Sequence, residues 1–148
     1  MRLILNIVNI LYGFALTIKF FPYIIAVLFM ANKQLVKEDV KRWSKIHGVK
    51  SFYFVKLLEK FPEFRNLFYA RFVHSSFVAK LFSFIYKKEE TLHIYAKHLG
   101  GGTLIWHGFA TIVNAEYIGE NCEIWQQVTI GENRGCPHIG NNVRIHAG

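Results

Sequence analysis

Imidazoles and thiols are the side chains best suited to move protons or acyl groups near neutral pH. This chain of 148 residues has seven histidines and two cysteines. His107 stands in "IWHGFAT", between Trp106 and Gly108. An imidazole there could serve as a general base, although a lone histidine in an apolar run is more often structural. Cys136 precedes Pro137 and has only His138 as a neighbouring base, which makes it a poor nucleophile. Cys122 falls among repeat positions and reads as a small packing residue. His93, His98, His138 and His146 follow no metal-ligand spacing and read as surface or corner residues. His74 has no acid, thiol or second imidazole one helical turn away and reads as half-exposed. No metal is expected. Gly100-Gly101-Gly102 lacks a following Lys-Ser or Lys-Thr, so it reads as a tight corner and not a phosphate loop.

The elements that must hold these residues announce themselves by a period. Leu99 and Ile105 are six positions apart; after a one-residue slip come Ile112, Ile118, Ile124 and Ile130, again six apart. The link "GENRGCPH" intervenes, and Ile139 and Ile145 resume the count. Neither a helix face nor a strand face repeats every six residues. The period fits short strands joined by sharp corners, three to a turn, each sending one aliphatic residue inward and pairing in parallel with the turn above. Glycine follows the aliphatic residue at Gly100, Gly119, Gly131 and Gly140, and asparagine follows shortly at Asn121 and Asn142. Both tolerate the positive φ of a sharp bend.

The preceding part is different in kind. Residues 1–98 carry 16 Lys+Arg against 6 Asp+Glu, while the last 50 carry 2 against 4. Basic residues interleave with Phe, Leu and Ile, and neither zinc-finger spacing nor an RNA-binding aromatic signature is present, which points away from nucleic acid. Residues 1–32 are the most apolar, interrupted by Lys19 and Pro22. Three readings stay open for them: a buried or interfacial helical hairpin, a membrane anchor, or a cleaved signal. Val36, Val40, Trp43 and Ile46 share one helical face, with Gly48 as a C-terminal cap. Another helix follows in "KSFYFVKLLEKF", and Pro62 opens the next. The expected class is α+β: an apolar helical segment over 1–32, a helical domain over 33–98 and a parallel β-helix over 99–148.

"LIWHGFATIV", "IGENCEIWQQVTIGEN" and "CPHIGNNVRIHAG" resemble the serine acetyltransferase branch of the hexapeptide-repeat acyltransferases, and "FPEFRNLFYARF" resembles that family's helical N-terminal part more loosely. The resemblance implies a left-handed β-helix, a homotrimer with active sites between subunits, and acetyl transfer from acetyl-CoA to a hydroxyl. It implies His107 as the catalytic base and Gln127, Thr129 and Gly131 at acetyl-CoA; Gly108 leaves room for an acceptor, and Trp106 and Cys136 are expected to line its pocket. Backbone amides of a rigid coil would suit the oxyanion.

The departures from that family bear on the acceptor. Leu92 and Trp106 stand where serine-specific enzymes carry Asp, and Gly135-Cys136 stands where they carry Arg-His. A zwitterion would lose charge-assisted contacts of about 1.5–3 kcal/mol each. A neutral hydroxyl, such as a sugar of a surface polysaccharide, is the expected acceptor, with Trp106 stacking on its ring. Serine acetylation for cysteine synthesis is the rival. A third reading is a truncated, non-catalytic remnant, since fifty residues at about 18 per coil make fewer than three coils and repeat stacks generally need three. The two cysteines suggest a reduced, cytoplasmic setting, and the basic apolar front suggests the inner membrane face.

Overall fold

The computed structural model describes residues 2–72, 82–84 and 86–148. Among the described residues, the helices α1 (Arg2–Lys19), α2 (Phe21–Phe29), α3 (Lys33–Ile46), α4 (Tyr53–Lys60) and α5 (Pro62–Ala70) lead, and residues 82–84 are also helical. His74 lies outside the described residues.

α1 and α2 form no hairpin. They are bent by 64° at a short break, and Pro22 occupies the first turn of α2, where its missing N–H costs nothing. Lys19 sits at the break and donates to Glu59 of α4 at 2.8 Å, so the charge that interrupts the apolar run is paired against the protein. Most of the aliphatic residues of α1 stay exposed, among them Leu3 at 72% and Ile18 at 78%. Among the described residues, no single helix is long and apolar enough to cross a membrane, although the bent pair together has the length and composition.

α3 follows its sequence pattern. Val36 and Trp43 are buried and Val40 is half-buried, but Ile46 is 39% exposed. Gly48 has the positive φ of a cap, at 64°. α4 begins only after Phe52, which holds φ at 51° and ends the preceding turn. Trp43, Leu57, Phe64 and Leu67 join the helices into one core that continues into the strands through Leu92, Leu104 and Ile118.

Nine short strands follow among the described residues: β1 (Leu92–Ile94), β2 (His98–Leu99), β3 (Leu104–Trp106), β4 (Thr111–Val113), β5 (Tyr117–Ile118), β6 (Glu123–Trp125), β7 (Thr129–Ile130), β8 (His138–Ile139) and β9 (Arg144–Ile145). They form three parallel sheets, β1-β4-β7, β2-β5-β8 and β3-β6-β9. Each successive strand joins the next sheet, so the chain returns to each sheet once per tier, an arrangement compatible with a β-helix. Strand pairing begins at Leu92, ahead of the expected 99, and this extra strand completes three tiers where fewer had been expected.

Two interior columns match the period: Leu99, Ile118 and Ile139 on one sheet, and Ile105, Ile124 and Ile145 on another. The third corrects it. Val113, not Ile112, pairs with Ile94 above and Ile130 below. Val113 is 1% exposed and Ile112 is 39% exposed. The slip between Ile105 and Ile112 is one residue longer than the count suggested, because the corner at His107–Ala110 absorbs the excess with three positive φ angles.

The other corners use the expected chemistry. Gly102, Asn121 and Asn142 stack tier on tier with φ of 70°, 57° and 58°. A Cβ on Gly100 would lie 2.4 Å from the backbone of Gly119, so contact between tiers requires glycine there.

Candidate active site

His107 follows β3 and turns the chain toward β4. It is exposed, and its φ is 60°, in the left-handed region that non-glycine residues adopt at some cost. Its carbonyl accepts from the Phe109 amide at 2.5 Å, which closes the corner. Gly108 is buried, with φ of 37°, and a Cβ on it would meet Glu63 Cγ and Leu92 Cδ2, each at 2.9 Å. The corner therefore packs against α5 through Glu63 and against β1 through Leu92. The position matched to an orienting Asp is thus a buried leucine, and Glu63 is a carboxylate-bearing side chain packed on this corner.

Trp106 ends β3, half-buried. Its ring stacks on Trp125 (centroids 5.9 Å apart, 27°), and Trp125 stacks on His146 (4.3 Å, 25°), making an outward ladder down the sheet. Its indole N–H donates to Glu123 Oε2 at 3.4 Å. Glu123 is also paired with Arg42 of α3 at 2.5 Å. Trp125 and His47 leave part of the Trp106 ring uncovered.

Gln127, Thr129 and Gly131 lie one tier below the His107–Val113 segment. The Gln127 amide donates to the Phe109 carbonyl at 3.0 Å, and Thr129 pairs with Ile112 across β7 and β4. All three are exposed, and they make a strip beside the His107 corner. Cys136 is not on it. It is half-buried in the link between β7 and β8, at the next corner. Within one chain, His107 comes together with Gln127, Thr129 and Gly131, and Cys136 stands apart. His98, Tyr117 and His138 stack along the β2-β5-β8 face at 4.5 and 6.3 Å. Among the described residues, no group of three or more His, Cys, Asp or Glu is placed to hold a metal.

Gly100–Gly102 is a corner, as read, and it is held from outside. Asp39 of α3 accepts from the Gly102 amide at 2.8 Å and from Arg71 at 2.9 Å through both carboxylate oxygens. Arg71 donates onward to the carbonyls of Leu99 and Gly100. Trp43 Nε1 donates to the Thr103 carbonyl at 2.8 Å. Burial pushes the Asp39 carboxyl up to about 6, against the opposing pull of Arg71 and the amides of Gly102 and Thr103.

Sequence reading passed over His47. It caps α3 and packs its ring against Phe61 at 4.2 Å, Trp43 at 5.3 Å and Trp106 at 5.5 Å. Burial, and then the charge of His107, lower its pKa. The signal was present: His47 lies four residues after Trp43, on the same helical face.

No protein-family model, curated protein or solved structure matches the chain.

Proposed function

We propose that this chain is an acetyl-CoA-dependent O-acetyltransferase with a left-handed β-helix, acting on a neutral hydroxyl such as that of a sugar in surface polysaccharide assembly. The observation that carries this reading is the exposed imidazole of His107 at a corner of a parallel strand stack, with the Gln127–Gly131 strip on the tier beneath. In the reaction, His107 takes the proton of the acceptor hydroxyl as its oxygen attacks the thioester carbonyl. Backbone amides would steady the oxyanion. The C–S bond then breaks, and the leaving thiolate recovers the proton from the imidazolium. Glu63, packed on Gly108, would position the corner where the family carries Asp.

Supporting a neutral acceptor, the charges beside Trp106 pair with one another, Arg42 with Glu123, and Leu92 is apolar. Supporting a homotrimer with the site at a seam, Phe109 and Ile112 expose apolar side chains, at 44% and 39%, beside His107, where a second subunit would cover them. The exposed apolar faces of α1 and α2 and the basic front support residence at the inner face of a membrane.

Incubating the purified chain with acetyl-CoA and either neutral sugars or serine, while following free thiol, tests the reading. Thiol release with sugars is expected. Robust turnover with serine would move the assignment to cysteine synthesis.

A further inference from the structure

We propose that the pocket between the end of α3, α4 and the middle of α1 is a binding site for a phosphate group. The cavity holds about 230 Å³, and Asn9, His47, Lys50, Lys56 and Lys60 line it. No Asp or Glu contributes to its wall.

The first observation is Lys56. Its residue is 7% exposed, yet its ammonium donates only to neutral oxygens, Asn9 Oδ1 at 2.7 Å and Ser51 Oγ at 3.2 Å. Among the described residues, no carboxylate forms an ion pair with it. A buried cation lacking a counter-ion is costly, and a bound anion removes that cost. The second is His47, whose Nε2 is fully enclosed and has no hydrogen-bond partner in the structure. Lys50 and Lys60 are exposed beside them. Three lysines thus line one cavity together with a histidine whose enclosed ring nitrogen has no partner. Lysines serve a phosphate as point charges and donate charge-assisted hydrogen bonds to its oxygens. Burial and the neighbouring Lys60 also lower the Lys56 pKa, which an anion would restore.

One wall of the pocket, His47, borders the end of β3. The His47 ring that lines it lies 5.5 Å from the Trp106 ring, next to His107 in the chain. On the acetyltransferase reading, a phosphate held here has two sources. Both the acetyl donor, through CoA, and a phosphate-bearing sugar acceptor fit that chemistry. Which one supplies the phosphate rests on the acetyltransferase reading; phosphate binding itself does not.

The test is calorimetric titration of the full chain with inorganic pyrophosphate at fixed ionic strength. Saturable binding is expected. It should weaken about tenfold in Lys50→Gln/Lys60→Gln and at least as much in Lys56→Gln, while the distant exposed Lys33→Gln titrates like the parent. The two exposed substitutions keep the test valid if Lys56→Gln fails to fold. Absence of saturable binding, or equal binding by every variant, would overturn the proposal. During turnover, pyrophosphate inhibition competitive with acetyl-CoA would assign the subsite to the donor. Competition with a sugar phosphate would assign it to the acceptor.

Discussion

His107 could be singled out in the sequence only through the resemblance that "LIWHGFATIV" carries; on its own, a histidine in an apolar run reads as structural. Its backbone conformation could not, because a positive φ at a histidine is set by the corner and not by the residue. Replacing it with Ala should lower turnover by about 10²–10⁴-fold, the range of general-base contributions, and leave the fold assembled. Steady-state thiol release together with a circular dichroism melt would show both. His47 was overlooked since its chemistry depends on contacts between α3 and β3. Its pKa is lowered in the folded chain, so the unfolded chain binds this proton first as pH falls. Stability from this group is present above the unfolded histidine value of about 6.5 and is lost as pH drops below it. His47→Phe should therefore lose less melting temperature than the parent between about pH 7.5 and about pH 5. An equal loss in both would remove His47 as the source.

At the scale of elements, the six-residue period revealed the parallel stack because an aliphatic interior leaves its trace in every tier. It misassigned Ile112, because a corner can absorb extra residues without changing the strands on either side. The first strand, Leu92–Ile94, escaped since its interior residues precede any repeat to count from. The stack and the helices meet at the Gly100–Gly102 corner, through Asp39, Arg71 and Trp43, and again at Gly108, through Glu63. A Cβ on Gly100 strikes the backbone of the next tier, which cannot yield, whereas one on Gly140 meets nothing within 4 Å. Gly100→Ala should cost about 1–3 kcal/mol in chemical denaturation and Gly140→Ala close to nothing. Asp39→Ala should cost about 3–5 kcal/mol, because it leaves the buried Arg71 guanidinium without its partner. No polarity pattern in α3 distinguished Asp39 from a solvated acid; only the three-dimensional approach of Arg71 does so.

For the molecule as a whole, the charge asymmetry and apolar front were plain in the composition, but their geometry was not. Lys19 interrupts the apolar run, and the helices do break there; it pairs with Glu59 at the surface, and the apolar faces of α1 and α2 stay outward. The chain should therefore co-sediment with vesicles containing anionic lipid, and Leu5→Glu/Leu11→Glu on α1 should abolish this. Persistent sedimentation of that variant would take α1 out of the contact. The central claim, however, concerns chemistry at one corner of the strand stack. Thiol release from acetyl-CoA by purified parent and His107→Ala chains, each with a neutral sugar acceptor, tests it most directly. The account predicts turnover by the parent and a loss of at least about a hundredfold in the variant. Equal turnover by the two chains, or none by the parent with any hydroxyl acceptor, would contradict it.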